Sequence, residues 1–229
     1  MLQNTSHTQI YRETIKSQAA AYIREAILTG QILPEERIVP SVIADALKTG
    51  RGVIREALMV LETEGLVENI PYKGSFVSKL NRDDIGEVCS LRLMIETYSV
   101  KEAANAITEE DYHSLAGICR QMQESASQNR LYDIVKCDSA FHGYLVKKVS
   151  QSILYDAWDI TSGKMSTLFF SMFTRGYPIP RVAKEHFELL EELKKSPEAY
   201  LDALHCHYER TKRCQCEFHE PGRHIYKET

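Results

Sequence analysis

Residues 38 to 77 read IVPSVIADALKTGRGVIREALMVLETEGLVENIPYKGSFV, and this stretch decides the fold of the first part of the chain. Ser41 can cap a helix whose apolar residues recur at helical spacing. Two glycines in the segment 48–52 then interrupt the pattern, and a second amphipathic helix is predicted from about 53 to 64. Gly65 suits the C-terminal cap of that helix. The stretch therefore predicts two helices joined by a short polar turn.

A short hairpin follows the second helix. Segments 66–70 and 75–77 have the composition of strands, and the turn sequence between them places Lys73 and Gly74 at the tip. Two helices and a hairpin in this order predict a winged helix-turn-helix. In that fold the second helix enters the major groove of DNA, while the hairpin, called the wing, contacts the adjacent phosphate backbone of the DNA. The local pattern thus predicts DNA binding.

Two arginines, Arg51 and Arg55, lie near the start of the second predicted helix. A guanidinium can bind guanine or phosphate through two parallel hydrogen bonds. Both arginines could instead only solvate an exposed face, but the turn before them and the wing after them favour DNA contact. The complete set of predicted DNA-contacting residues is Ser41, Thr49, Gly50, Arg51, Gly52, Arg55, Lys73 and Gly74.

This region resembles the GntR family of bacterial transcription regulators. The residues that carry the resemblance are Leu33-Pro34, Ile38, Ala44, Leu47, the run from Arg51 to Leu58, Leu61, Glu62, the run from Glu64 to Val67 and the run from Gly74 to Val77. The family usually has Glu-Arg where this chain has Pro40-Ser41, and a small hydroxyl residue where it has Gly50. The resemblance implies operator binding with one customary arginine contact missing, and Gly50 and Gly52 can offer only backbone contacts.

The composition is that of a globular protein, with 229 residues, which is long enough for two domains. No apolar run is long enough to span a bilayer, and the N-terminus lacks the apolar core of a signal peptide. We therefore expect a cytoplasmic protein that does not bind membranes. The six cysteines lie mostly in helical patterns, which favours reduced thiols over a disulfide framework.

The charge is unevenly distributed along the chain. The first 80 residues contain nine basic and nine acidic residues, so the net charge of -4 comes entirely from the remainder. A neutral DNA-binding region makes few phosphate contacts, and we therefore expect its affinity for an operator to depend on dimerisation.

After residue 80 the sequence has only helical periodicity. Asn81 with Asp84, and Thr108 with Asp111, predict the N-caps of the first two helices of this region. Further helices are predicted at about 131–149, 152–173, 181–195 and 197–215. The fold class is therefore mainly α: a winged helix-turn-helix domain at 1–79, an all-helical bundle at 82–213 and a loose tail at 214–229.

Four metal-ligating side chains fall on three of these helices. Asp138 and His142 are four residues apart and project from the same helical face, and His186 and His207 lie on two later helices. One carboxylate and three imidazoles can hold a divalent transition metal such as Zn, Ni or Mn. The alternative is that each is a separate structural or surface residue. His205 points about 200 degrees away from His207, so the two cannot share one face.

The second region resembles the FCD effector domain of the FadR subfamily of GntR regulators. The matching residues are Arg92, Glu96, the run from Asp138 to His142, Glu185-His186 and His207. The resemblance implies that Asp138, His142, His186 and His207 hold a metal at the bottom of a pocket for a small carboxylic acid. Arg92 could bind the acid or only pair with Glu96 one turn away, and the ion pair is the favoured interpretation.

The predicted function is a homodimeric, DNA-binding transcription regulator whose operator binding is modulated by the acid. Two alternatives stay open: a regulator whose metal is structural or is itself the signal, and, less favoured, a metalloenzyme. Near the C-terminus, Cys214, Cys216, His219 and His224 resemble a second metal motif. Their spacing lacks the usual two-residue gap between cysteines, which favours a loose tail.

Overall fold

The computed structural model of the chain describes residues 14–79, 82–174 and 177–218. The elements in chain order are α1 (Ile15–Leu28), β1 (Arg37–Ile38), α2 (Pro40–Ala46), α3 (Arg51–Thr63), β2 (Val67–Ile70), β3 (Gly74–Val77), α4 (Arg82–Ala103), α5 (Glu109–Ser127), α6 (Leu131–Val149), α7 (Ile153–Thr174), α8 (Ile179–Lys195) and α9 (Pro197–Phe218). The predicted fold class, a small winged helix-turn-helix followed by a helical bundle, is confirmed.

The N-terminal domain consists of α1 to α3 and a three-stranded antiparallel sheet in the order β1-β3-β2. Its core is apolar and includes Ile23 of α1 and Ile54, Leu58 and Leu61 of α3. Helix α1 and strand β1 were not predicted from the sequence. Strand β1 has only two residues, too few to show the alternation that reveals a strand. It nevertheless widens the wing, because Arg37 pairs with Phe76 of β3.

Two predicted helix starts are wrong. Helix α2 begins at Pro40, with Val39 at the N-cap and no side-chain cap, so Ser41 lies inside the first turn. Proline suits this position because its missing N–H would have no helical partner there. Helix α3 begins at Arg51, with Gly50 at the N-cap, rather than at 53. Arg51 therefore belongs to the recognition helix itself and not to the turn before it.

The end of α3 is as predicted. Gly65 has a φ of +74°, a left-handed conformation that glycine adopts without strain.

The helical domain consists of α4 to α9, and the capping box predicted at the start of α5 is present. Asp111 N donates to Thr108 Oγ1 at 3.4 Å, and Thr108 N donates to Asp111 Oδ2 at 2.7 Å. Asn81, the other predicted cap, lies outside the described residues. Helix α9 continues to Phe218, so segment 214–218 is helical, and residues 219–229 lie outside the described part of the chain.

The bundle surrounds a partly polar interior. Helix α4 packs against α6, α7 and α9, while α8 packs against α5 and α9. Most of the enclosed side chains are apolar, but polar side chains are buried among them, and those on α4, α6, α8 and α9 include Arg92, Glu96, Asp138, His142, Glu185, His186 and His207. Buried charges persist in folded proteins only when they are paired or bind an ion, so this interior is the first place to look for a site.

The two domains meet where α3 ends and α7 passes it. A Cβ on Gly163 of α7 would lie 3.2 Å from the Cα of Gly65, and a Cβ on Gly65 would overlap the carbonyl group of Gly163. Thr167, one turn further along α7, donates its hydroxyl to the carbonyl of Gly65. We call this close approach the α3–α7 contact, and it requires two residues without side chains.

A second contact between the domains is ionic and aromatic. Arg24 of α1 donates to both carboxylate oxygens of Glu64, at 2.9 and 2.7 Å, and the Tyr132 hydroxyl of α6 donates to the same carboxylate at 3.0 Å. The Arg24 guanidinium also lies 4.0 Å from the centre of the Tyr132 ring. Together the two contacts hold the end of α3 against the helical domain.

Among the described helices, none combines the length and the apolarity that crossing a bilayer requires. Cys89, Cys119, Cys137 and Cys206 are free thiols. Burial raises the pKa of Cys89 to about 11 and that of Cys119 to about 12, so both remain protonated as small core residues.

Candidate functional sites

Three helices bring the four predicted metal-ligating residues together. Helix α6 contributes Asp138 and His142 one turn apart, α8 contributes His186, and α9 contributes His207. One ligand atom from each of the four lies within 4.8 Å of the others, and all four side chains are buried. His205, the neighbouring histidine on α9, is exposed and lies outside the cluster. We refer to Asp138, His142, His186 and His207 as the Asp/His cluster.

The hydrogen bonds of the cluster leave acceptor atoms facing one another. His142 Nδ1 donates to Glu96 Oε2 at 2.9 Å, and His186 Nδ1 donates to the Val182 carbonyl at 2.8 Å. Each ring therefore turns its Nε2 towards the interior of the cluster. Asp138 Oδ1 lies 3.1 Å from His186 Nε2 and 3.8 Å from His142 Nε2. None of these three atoms has a hydrogen-bond partner among the described residues.

The protonation states suit a cation at this point. Burial would raise the pKa of Asp138, but His186 and His142 outweigh it and hold that pKa below its usual range. Burial, together with the neighbouring His142 and His186, holds the pKa of His207 well below its usual range. The cluster therefore offers an anionic carboxylate and an unprotonated imidazole, the donor types that zinc, nickel and manganese bind. The residues present fit a divalent metal.

A buried carboxylate, Glu96 of α4, joins the cluster to its surroundings. Besides His142, it accepts hydrogen bonds from Trp158 Nε1 at 2.8 Å, Tyr208 Oη at 2.7 Å and Arg92 Nε at 3.3 Å. Burial raises the pKa of Glu96, but His142 and the other donors outweigh it and lower that pKa. Glu96 is therefore ionised, and it fixes the tautomer of His142. Trp158 and Tyr208 were not predicted, since no sequence spacing relates residues on three separate helices.

Arg92 is completely buried beside the cluster. It makes the predicted ion pair with Glu96, its Nε donates to Tyr208 Oη at 3.1 Å, and its guanidinium lies 4.4 Å from the Trp158 ring centre. The Trp158 ring fits against α6 because Gly143 has no side chain, and a Cβ there would lie 2.8 Å from the ring. The two terminal nitrogens of Arg92 have no hydrogen-bond partner within the described residues. An arginine with a free fork is suited to bind a carboxylate.

Glu185 supports the cluster from the side of α8. Its Oε2 lies 3.6 Å from His207 Nδ1, and its Oε1 accepts a hydrogen bond from Arg181 Nε at 2.9 Å. Arg210 NH1 lies 3.9 Å from the same carboxylate. The Glu185 carboxylate thus lies beside His207 without a hydrogen bond between them. From the sequence, Glu185 was noted only as the residue before His186, and no contact with His207 was predicted.

At the C-terminus the sequence favours a loose tail over a second metal motif, and this choice remains a prediction. Cys214 and Cys216 lie two residues apart in the last turns of α9. His219 and His224 lie outside the described residues.

The predicted DNA-contacting residues lie on α2, in the turn before α3, at the start of α3 and in the wing. Arg51 and Gly52 occupy the first turn of α3 and Arg55 the next, whereas the apolar residues of α3 face the core. Arg51, Gly52, Arg55, Gly50, Lys73 and Gly74 are exposed, and Ser41 and Thr49 are half-buried. Gly74, with a φ of +110°, occupies a conformation that favours glycine. A helix with an exposed basic start next to an exposed wing has the geometry of a DNA-reading surface.

Comparison with known proteins agrees with both halves of this description. Residues 15–77 match the family described as bacterial regulatory proteins, gntR family, and residues 87–210, more than half of the chain, match the FCD domain.

Two similar proteins are repressors. The HTH-type transcriptional repressor RspR of Escherichia coli K12 is 21% identical over 183 residues, which is 80% of each chain. The gluconate operon transcriptional repressor of Bacillus licheniformis is 26% identical over 206 residues, covering 87% of this chain and 82% of its own.

Solved structures share the fold. A GntR transcriptional regulator from Rhodococcus sp. RHA1 superposes with a TM-score of 0.67 at 21% identity, covering 86% of this chain and 95% of its own. E. coli McbR/YncC has the same TM-score at 17% identity, covering 90% and 99%. The winged helix-turn-helix, the helical bundle and the two family matches lead to one conclusion: the chain belongs to the GntR family of bacterial transcription regulators, among the members that carry an FCD domain.

Proposed function

We propose that this regulator binds operator DNA as a homodimer and that a small carboxylic acid, bound at a metal held by the Asp/His cluster, changes its affinity for the operator. The observation that carries the proposal is the convergence of three unpartnered acceptor atoms of Asp138, His142 and His186 beside the unpartnered fork of Arg92. A metal and an acid together satisfy both sets of atoms.

The residues around the cluster define the kind of ligand. Asp138, His142, His186 and His207 would hold the metal, which supplies positive charge and open coordination positions to an oxygen ligand. Arg92 donates from its terminal nitrogens to a carboxylate oxygen in the same interior. A cationic ligand would leave the two terminal nitrogens of Arg92 without hydrogen-bond partners and place a second positive charge beside the guanidinium, and that is costly. The favoured ligand is therefore a small anion with at least one carboxylate.

The exposed face of α3 and the wing supply the operator contacts. Arg51 and Arg55 lie one turn apart on that face, so both guanidinia can reach the same groove of DNA. Gly50 and Gly52 contribute backbone contacts, Ser41 and Thr49 contribute hydroxyls, and Lys73 and Gly74 lie where a wing meets the phosphate backbone.

An exposed apolar surface on the helical domain supports the homodimer. On α4, Leu91, Met94 and Tyr98 form a stripe at helical spacing, and on the adjacent α7, Ile153 and Ile160 are 85% and 77% exposed. Monomeric proteins rarely leave such contiguous apolar patches in water. A twofold axis through this surface would pair α4 and α7 with the same helices of a second copy. The two DNA-binding domains of the dimer could then bind the two halves of one operator.

Helix α7 supplies the physical connection between acid and DNA. Trp158 donates to Glu96 beside the cluster. Further along the same helix, by about one and a half and about two and a half turns, Gly163 and Thr167 touch the end of α3. A shift of Trp158 when the acid engages Arg92 would therefore move the end of the recognition helix. Such coupling requires that the acid bind the two arrangements with different affinity.

A regulator whose metal is structural, or is itself the signal, is the second candidate. It is favoured by the unpartnered, converging atoms Asp138 Oδ1, His142 Nε2 and His186 Nε2, because a metal alone would give all three a partner.

Thermal unfolding separates the two candidates. The purified protein is heated with each of a panel of small carboxylic acids, with and without a chelator. We expect one class of acid to raise the midpoint only when metal is bound, and a ligand present at about 100 times its Kd stabilises by about 2.7 kcal/mol. Arg92→Lys, which keeps the charge and removes the fork, should lose this response. If no acid shifts the midpoint while chelation lowers it, the structural or signalling metal is correct.

A further inference from the structure

A groove separates the recognition helix α3 from the wing. Its volume is about 350 Å³, and its walls carry Arg55 and Met59 of α3, Asn69 of β2, Gly74 of β3 and Arg37 of β1. Arg37 and Arg55 are both exposed. Arg37 was not predicted as a DNA-contacting residue, because it precedes the first helix of the motif and belongs to a strand of two residues.

The positive charge of the groove is not neutralised by the protein. Within residues 14–79, no carboxylate lies within ion-pair distance of Arg37 or Arg55, although other basic residues of this domain are paired. Two acids close to these arginines in the chain or the fold, Glu36 and Glu62, are engaged elsewhere. Glu36 accepts a hydrogen bond from Leu33 N at 2.9 Å, and Glu62 accepts one from Asn69 Nδ2 at 2.6 Å. The groove therefore presents two guanidinium groups to an anion from outside.

The walls of the groove are held in place before any ligand arrives. The Glu62–Asn69 hydrogen bonds tie the last turn of α3 to β2, and Ser75 Oγ donates to Asn69 Oδ1 at 2.5 Å, which continues the chain to β3. Strand β1 pairs with β3, so Arg37 moves with the wing. Because the walls of the groove are already ordered, the protein loses less conformational entropy when it binds a ligand there.

Gly74 determines where the Arg37 side chain lies. A Cβ on Gly74 would be 3.3 Å from Arg37 Nε and 3.4 Å from its NH2 atom, so the guanidinium lies against the bare backbone of the wing. The glycine thus makes room for Arg37 on the groove side.

We propose that Arg37 is a DNA phosphate-binding residue and that, with Arg55 on the opposite wall, it holds one strand of the DNA backbone between α3 and the wing. The inference rests on the proposed DNA binding. A helix lying in the major groove is bordered by phosphates, and a guanidinium binds phosphate through two hydrogen bonds. The contact is independent of base sequence and fixes the angle at which α3 enters the groove.

Because phosphate contacts do not depend on sequence, a mixed-sequence duplex is a sufficient probe. The full-length protein is titrated into a fluorescein-labelled duplex of about 30 base pairs, and anisotropy gives the binding constant between about 50 and about 200 mM KCl. We expect Arg37→Ala to make the slope of log K against log salt shallower by about 0.9 per bound chain. Arg37→Lys should keep the wild-type slope, since it keeps the charge.

Arg120→Ala is the matched control, because it removes one exposed arginine from α5, far along the chain from the wing. It should leave the slope unchanged, which excludes a general effect of net charge. A wild-type slope for Arg37→Ala, a reduced slope for Arg37→Lys, or an equal reduction for Arg120→Ala would each refute the phosphate contact. If the wild-type protein does not bind the duplex even at the lowest salt, the proposed DNA binding fails as well.

Discussion

At the scale of single residues, the Glu96 carboxylate does most to define the buried site. It accepts hydrogen bonds from the side chains of four residues, His142, Trp158, Tyr208 and Arg92, on four different helices. A metal-binding histidine usually donates its second ring nitrogen to such a carboxylate, which fixes the tautomer and strengthens the ligand. Glu96 therefore positions both the proposed metal ligand His142 and the proposed acid-binding residue Arg92.

Replacing Glu96 by glutamine tests this role. Glu96→Gln keeps the shape of the side chain but removes the negative charge that strengthens His142 as a ligand. We expect the metal affinity, measured by competition with a chromophoric chelator, to fall about 10- to 100-fold. Glu110→Gln, on the exposed side of α5, is the control and should bind metal like the wild type. Equal affinities for the two variants would show that Glu96 does not position the ligand.

The Asp/His cluster also shows what a sequence can and cannot predict about a site. Asp138 and His142 were identified because a spacing of four places them on one helical face, and the same geometry separated His207 from His205. Their convergence with His186 required the packing of three helices. The roles of Trp158 and Tyr208 could not be predicted, since their contacts to Glu96 join positions 62 and 112 residues apart in the chain.

At the scale of the elements, the start of α5 was predicted from its capping residues, whereas the starts of α2 and α3 were not predicted correctly. Thr108 and Asp111 form the predicted capping box of α5. Helices α2 and α3 begin with Val39 and Gly50 at their N-caps, without a side-chain cap, and both predicted starts were wrong. Ser41 was a plausible cap by residue type alone, but the proline before it fits the first helical position better.

The start of α5 predicts a pH dependence of stability. Burial raises the pKa of Asp111, but hydrogen bonds from Lys148, Thr108 and Tyr144 outweigh it and lower that pKa from 3.8 to about 2. Since the folded pKa lies below the unfolded one, this stabilisation is complete above about pH 4 and is lost as the pH falls towards 2. It amounts to at most about 2 kcal/mol.

Urea unfolding at about pH 5 and about pH 3 measures this effect. The difference in free energy of unfolding between the wild type and Asp111→Asn should be smaller at the lower pH, because the Asp111 carboxylate of the unfolded wild type is then mostly protonated while that of the folded state is still mostly ionised. A difference that does not change with pH would mean that Asp111 stabilises α5 without its charge.

The apolar stripe of α4 leads to a prediction about assembly. Met94 is 68% exposed at the centre of the stripe, so Met94→Asp would place a charge in the proposed dimer interface. We expect this variant to be a monomer in size-exclusion chromatography with light scattering, whereas the wild type is a dimer. Tyr22→Asp changes an exposed aromatic residue of α1 and should remain dimeric. A dimeric Met94→Asp variant would place the interface elsewhere.

At the scale of the whole molecule, two domains are joined through very few residues. The end of α3 touches α7 at Gly65 and Gly163, and Glu64 next to it is held by Arg24 and Tyr132. The sequence predicted the two domains and their order. It did not predict how the domains meet, because a contact between two glycines leaves no hydrophobic or charged pattern.

The α3–α7 contact can be altered without touching the buried site. Gly163→Ala would place a methyl group 3.2 Å from Gly65, which is close enough to push the two helices apart. We expect the metal affinity to stay at the wild-type value while the effect of the acid on DNA affinity decreases. Allosteric coupling free energies are typically about 1 to 3 kcal/mol. A loss of coupling is therefore measurable by comparing the DNA-binding curves recorded with and without the acid.

Gly86→Ala is the control for this variant, since a Cβ on Gly86 of α4 meets nothing within 4 Å. It should preserve both the metal affinity and the response to the acid. If Gly163→Ala behaves in the same way, α7 does not connect the two sites.

Gly65 finally sets a condition for exchanging domains between regulators of this family. The residue ends α3 with a positive φ, and its lack of a side chain also lets α7 approach. A DNA-binding domain transferred from a relative onto this helical bundle will pack against α7 correctly only if it has glycine at the position of Gly65, whatever operator it recognises. Compatibility of a chimera is therefore decided at the junction, by one backbone conformation and the space of one methyl group.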